Sequence, residues 1–133
     1  MRTLLGFDYG PRKIGVAVGQ TLTGTASPLE TLRSQGDQPD WAGIGRLMAT
    51  WQPEALVVGL PYHMDDREEA WAGRVRRFAR QLEGRYRLPV YLVDERLTSL
   101  EARRYLGRQA TRVENIDPVA ATLILETWLG EQH

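Results

Sequence analysis

The chain has no cysteine. That excludes disulfides, thiolate metal sites and cysteine nucleophiles. Histidine is nearly absent, with only His63 and His133, which argues against histidine-centred catalysis and against zinc. Lysine is rarer still: sixteen of the seventeen basic residues are Arg, and Lys13 is the one lysine. No apolar run approaches the roughly 20 residues that a bilayer span needs. Met1-Arg2-Thr3-Leu4 leads straight towards a strand, with no apolar stretch and cleavage site of a signal peptide. A cytoplasmic protein without membrane contact is expected. Net charge is also lacking, so there is no global basic signature for nucleic acid.

The zero balance hides an uneven distribution. Residues 67–87 carry seven Arg against three Glu, and residues 96–112 five Arg against one Glu. Residues 29–66 carry six acids against two Arg. A two-sided distribution guides a polyanion to one face, although solvated helix faces account equally well for any single Arg. A chain of 133 residues fits one compact domain, residues 1–133, with a real core.

Hydrophobic periodicity orders the chain. Residues 3–9 and 13–19 are two apolar runs around a Gly10-Pro11 turn and predict a β-hairpin. A third strand is expected over 23–32, where Pro28 marks an edge or a bulge. Asp40 is placed to cap a helix carrying Trp41, Ile44, Leu47, Met48 and Trp51, which Pro53 ends. Ala55–Leu60 is wholly apolar, as in a strand buried on both faces of a parallel sheet. A helix over about 66–84 follows, with Trp71, Val75, Phe78 and Leu82 inward and Arg76, Arg77 and Arg80 outward. Its start is capped by Asp65 or Asp66. Pro89–Val93 predicts another buried strand, running into Asp94-Glu95-Arg96. Thr98 or Ser99 caps a helix to about Leu106, and 107–116 is a polar loop. Asp117-Pro118 opens the last helix, with Ala121, Ile124 and Trp128 on one face. Trp41, Trp51 and Trp71 are expected in the core. The order is α/β: a five-stranded mixed sheet, three antiparallel strands then parallel ones, with helices on both faces. It matches the ribonuclease H-like fold.

Asp8 lies within an apolar strand, where a carboxylate is costly unless it is paired, hydrogen-bonded or metal-bound. Asp94-Glu95 follows the end of a parallel strand, where open α/β sheets place ligands. Asp117 is in register with the apolar stripe of the last helix. Carboxylates without Cys and with few His suit Mg²⁺ or Mn²⁺. Two such ions about 4 Å apart clamp both oxygens of an in-line phosphodiester displacement. Other readings stand beside this one. Asp117 before Pro118 is also an N-cap with Pro at the first helical position. Asp94 and Glu95 can pair with Arg96, Arg103 or Arg104. Alternation puts Asp94 and Glu95 on opposite faces, and the residues alone do not choose between them.

Four segments together resemble the YqgF family, also called RuvX. They are Phe7-Asp8-Tyr9-Gly10 through Ala17, Val58-Gly59-Leu60-Pro61, Asp94-Glu95-Arg96-Leu97-Thr98 and Asp117-Pro118-Val119-Ala120-Ala121. The resemblance spans nearly the whole chain, in order. It departs at His63-Met64-Asp65-Asp66, where the family often carries a glycine, and at Arg108 and Arg112, where it often carries lysines. The resemblance implies a bacterial nuclease that matures the 5′ end of pre-16S ribosomal RNA, or a Holliday-junction resolvase. It implies Asp8, Glu95 and Asp117 as catalytic metal ligands. On this reading Lys13 and Arg12 of the turn, with Arg96, Arg108 and Arg112, contact nucleic acid. Arg96 either positions substrate or orients Glu95. The partner is then an RNA precursor or branched DNA, acted on by a monomer or homodimer. The segment Asp8-Tyr9-Gly10-Pro11-Arg12-Lys13-Ile14-Gly15 also resembles the phosphate loop of sugar kinases and actin-like ATPases, which close two such domains around ATP. A non-catalytic adaptor for RNA, ribosome-assembly or transcription factors is the third class.

Overall fold

The computed structural model describes residues 2–60, 66–94 and 113–132, with the backbone alone for 66–69 and 113–117. Strands β1 (Thr3–Tyr9), β2 (Lys13–Gln20) and β3 (Thr25–Arg33) come first. Helix α1 (Trp41–Trp51), strand β4 (Ala55–Leu60), helix α2 (Asp66–Tyr86), strand β5 (Val90–Asp94) and helix α3 (Val113–Glu131) follow. The sheet order is β3-β2-β1-β4-β5. The β1–β2 and β2–β3 pairs are antiparallel, and β1–β4 and β4–β5 are parallel. This is the mixed five-stranded sheet that the periodicity predicts. The predicted helix over residues 98–106 lies outside the described residues. Among the described residues no helix is long and apolar enough to cross a membrane.

Each face of the sheet has its own core. On one face Leu5, Phe7, Ile14, Val16, Leu56 and Val58 pack against Ile44 and Leu47 of α1 and Val75, Phe78 and Leu82 of α2. On the other, Leu4, Ala17, Val57 and Val93 pack against Ala121, Ile124, Leu125 and Leu129 of α3. Alternation along β1 therefore sends Leu5, Phe7 and Tyr9 towards α1 and α2, and Leu4, Gly6 and Asp8 towards α3.

Helix α3 comes unusually near the sheet because β1 and β2 offer it glycine. A Cβ on Gly6 would stand 2.9 Å from Leu125 Cβ and 3.1 Å from the Ala121 carbonyl oxygen. One on Gly19 would stand 2.8 Å from Leu125 Cδ2 and 3.1 Å from Leu129 Cδ1. Gly19 pairs with Leu4, at the start of β1. The chain of α3 therefore runs antiparallel to β1, with its N-terminal half over the end of β1 that holds Asp8.

Asp40 caps α1 as expected: its side chain accepts the Gly43 N–H at 2.9 Å. The helix closes on Gln52 in the left-handed region (φ 46°), just before Pro53. Pro28 proves to lie both on an edge strand and at a bulge, since Val16 pairs with Glu30 while Ala17 pairs with Pro28. The stripe of α2 is as predicted, with Val75, Phe78 and Leu82 buried and Arg76, Arg77 and Arg80 exposed. Asp66 is already helical, so it is not a cap.

Three expectations fail. The last helix begins at Val113, so Asp117-Pro118 does not open it and the predicted loop stops earlier. Pro118 is the sixth residue of this helix, so its second turn lacks one backbone bond and bears the proline ring against the carbonyl four residues back. Strand β5 is not buried on both faces: Tyr91 and Leu92 are 38% and 43% exposed. It ends the sheet order, so an apolar run here marks an edge and not a centre. Trp51 is exposed on the last turn of α1, whereas Trp41 and Trp71 pack against the core.

Replacing Gly6 by Ala should push α3 off the sheet and cost about 1–3 kcal/mol in urea unfolding. Gly84→Ala in α2, whose Cβ would meet nothing within 4 Å, should instead raise stability by up to about 1 kcal/mol. Equal effects at the two sites would contradict the packing described.

Candidate functional site

The three parallel strands end on the same side of the sheet. Their last residues bring Asp8-Tyr9 of β1, Gly59-Leu60 of β4 and Asp94 of β5 to one rim, with Phe7 level with Val58 and Leu60 level with Asp94. The quoted motif segments of β1, β4 and β5 thus meet where open α/β sheets bind ligands.

Asp8 is half-buried on the α3 side, directly after the fully buried Phe7. Its cross-strand partner is Gly15, which puts no side chain beside the carboxylate. Lys13 is on the same face as Gly15 and Ala17, so the chain's one lysine shares Asp8's side of the sheet. Asp8, Lys13 and Asp94 each engage a neighbour.

The turn joining β1 to β2 holds Lys13 at this rim. The Gly10 N–H donates to the Lys13 carbonyl at 3.0 Å, and the Arg12 carbonyl accepts the Ser34 N–H at 2.9 Å. Arg12 is exposed and Lys13 half-buried. Glycine is required at position 10, because a Cβ there would lie 2.7 Å from the Lys13 carbonyl oxygen.

The carboxylates divide by face. Val93 belongs to the core under α3, and Tyr91, on the same side, stacks on Trp128 at 4.9 Å. Asp94 therefore points to the α2 side, away from Asp8. Asp117 is helical, and its backbone is one turn before Ala121, which lies over Gly6. The four residues from 117 to 121 rise about 6 Å, and the two residues from Gly6 to Asp8 span about 7 Å. The backbone at 117 is thus level with Asp8. Glu95, Arg96, Arg108 and Arg112 lie outside the described residues. Among the described residues no three carboxylate or imidazole groups gather as for a metal; of the set Asp8, Glu95 and Asp117, only the Asp8 side chain is described.

Sequence reading missed Tyr9, which turns to the face opposite Asp8. Its ring stacks on Phe78 at 4.7 Å and on Trp71 at 5.3 Å, tying the end of β1 to α2. The alternation within β1 was the available signal.

The fold is ribonuclease H-like. A Thermus thermophilus RuvC in complex with a Holliday junction substrate aligns with TM-score 0.63 and 18% identity, covering 99% of this chain and 96% of that one. The fowlpox virus Holliday junction resolvase aligns at 0.58 and 9% identity, covering 98% and 99%. Within that class the chain belongs to the RuvX family, described as Holliday junction resolvase, which matches residues 2–131. A Legionella pneumophila protein named "putative pre-16S rRNA nuclease" is 50% identical over 133 residues, 97% of this chain and 96% of the relative. A relative of the same name from Methylococcus capsulatus is 52% identical, covering 96% of this chain and 88% of that one.

Gly10→Ala should open the hairpin turn and displace Lys13 at a cost of about 1–3 kcal/mol. Calorimetric unfolding that leaves the variant as stable as the parent would contradict the turn geometry.

Proposed function

We propose that this chain is a metal-dependent endonuclease that hydrolyses phosphodiester bonds in structured RNA, acting at the 5′ end of pre-16S ribosomal RNA. One observation carries the reading: the half-buried Asp8 stands at the rim where the motif segments of β1, β4 and β5 meet, level with the backbone of Asp117. Relatives near 50% identity bear the corresponding name.

The donors suit a hard divalent cation, Mg²⁺ or Mn²⁺, since they are carboxylates with no thiolate in the chain. Asp8, Glu95 and Asp117 would hold it, and a second such ion would complete the proposed mechanism. When bound, the metal supplies an activated water and neutralises charge developing on the phosphate. Glu95 is preferred over Asp94 because Asp94 turns to the α2 side, away from Asp8. The chain's own residues do the positioning. Buried Phe7 and the Gly10–Lys13 turn fix Asp8 and Lys13 on one face. Lys13 and Arg12 hold the phosphate backbone beside the carboxylates, with Arg96, Arg108 and Arg112 as further contacts. No protein base is needed at this centre.

A resolvase activity on four-way DNA is the second reading, favoured by the family's description and by the RuvC–junction complex. Symmetric cutting of a junction needs a two-fold dimer, so a monomer in light scattering would count against it. An adaptor would bind RNA, or a ribosome-assembly or transcription factor, without cutting.

With Mg²⁺ or Mn²⁺, wild-type protein should cleave a pre-16S 5′-end fragment. Asp8→Asn should lose on the order of 100-fold or more, as removing a group that stabilises transition-state charge commonly does. Equal cleavage by Asp8→Asn would sink the proposed centre. RNA binding by wild type with no cleavage under either metal would favour the adaptor.

A further inference from the structure

The outward side of α2 carries a concentration of arginine that the rim around Asp8 does not explain. Arg74, Arg76, Arg77, Arg80, Arg85 and Arg87 are all exposed between residues 70 and 87, where Glu83 is the one acid. Three acids elsewhere among the described residues are already engaged. Glu30 pairs with Arg46 at 3.0 Å, Glu54 pairs with Arg2 at 3.2 Å, and Asp40 caps α1. Asp37 approaches the helix, 3.8 Å from Arg74, and its side chain is 94% exposed. Such a surface pair is weak and easily screened.

The arginines are ordered. Residues 74, 77, 81 and 85 follow helical spacing and form one ridge. Arg74 lies over the Trp71 ring at 5.0 Å, and Arg85 over Trp41 at 4.0 Å. Attraction to a ring face orients a guanidinium and leaves the donors at its edge available. Beneath the start of the ridge is a cavity of about 200 Å³ lined by Tyr9, Gln38, Arg74, Arg77 and Gln81, with Asp37 as its one acid. At Gln38 and Pro39 it meets a second hollow of about 340 Å³ that reaches Arg33 and Gln35.

A wall of guanidinium, amide and phenol donors fits an anion. A ridge from residue 74 to residue 85, about 16 Å long, fits a repeating anion better than a single one. The groove opens beside Tyr9, the residue after Asp8, on the opposite face of the same rim. We propose that the Arg74–Arg77–Arg85 ridge and its groove bind the phosphodiester backbone of a nucleic-acid strand, as a contact separate from the Asp8 centre. The contact requires no cleavage, so it stands or falls apart from the nuclease reading.

The test is equilibrium binding in EDTA, measured by fluorescence anisotropy over a range of salt. The probes are an RNA stem-loop with a single-stranded 5′ extension and a four-way DNA junction. Arg74→Gln with Arg77→Gln should weaken binding of at least one probe about tenfold at ~0.1 M salt and flatten its log–log salt slope by about 1.4–1.8, for two phosphate contacts. The probe affected identifies the strand chemistry. Arg2→Gln with Arg46→Gln removes the same charge elsewhere and should leave affinity and slope near wild type. Arg74→Lys with Arg77→Lys should restore the slope, which a folding defect would not. The proposal is overturned if the Gln pair keeps wild-type affinity and slope on both probes, or if the Arg2 and Arg46 pair loses as much.

Discussion

Helix α3 rests on the sheet through a backbone-close contact that only glycine at positions 6 and 19 allows. Much else depends on that distance. It sets how deeply Leu125 and Leu129 enter the second core, and it fixes the helix antiparallel to β1. Because α3 runs that way, its N-terminal half comes over the end of β1 that holds Asp8. A side chain at either glycine would disturb the core and the rim together, since both rest on one helix position.

The rim has two sides, and the change of side takes a single residue. Asp8 turns towards α3 and shares its face with Lys13. Tyr9 turns towards α2 and is held between Phe78 and Trp71. Stacking of this kind adds about 0.5–1.5 kcal/mol per pair beyond burial, so the strand end has little freedom to twist. Asp8 and the arginines of α2 therefore stand on opposite faces of the sheet.

Most of the architecture was legible because it follows from periodicity. The apolar runs of β1, β2 and β4, the stripe of α2 and the Asp40 cap each have a local cause that the sequence displays. The misreadings came where a local signal has two meanings. Pro118 after Asp117 reads as a helix start, yet here it lies in the second turn of a helix that begins at Val113. The apolar run at Val90–Val93 reads as a central strand, yet it lies at an edge. Gly6 and Gly19 carry no local signal of their role, since what approaches them is the chain's own distant helix. At the candidate site, Asp8 was legible as a polar group out of place among apolar neighbours. Asp94 and Glu95 could not be separated from sequence, because alternation needs a reference face. The burial of Val93 under α3 supplies it and turns Asp94 away from Asp8.

The position of Lys13 has a practical consequence. It is the chain's one lysine, half-buried where the first turn meets the rim. Amine-directed reagents consequently find one side-chain target in the whole protein. A reporter attached there, or protection of that amine by a bound ligand, reads out the Asp8 face of the sheet without any engineered label.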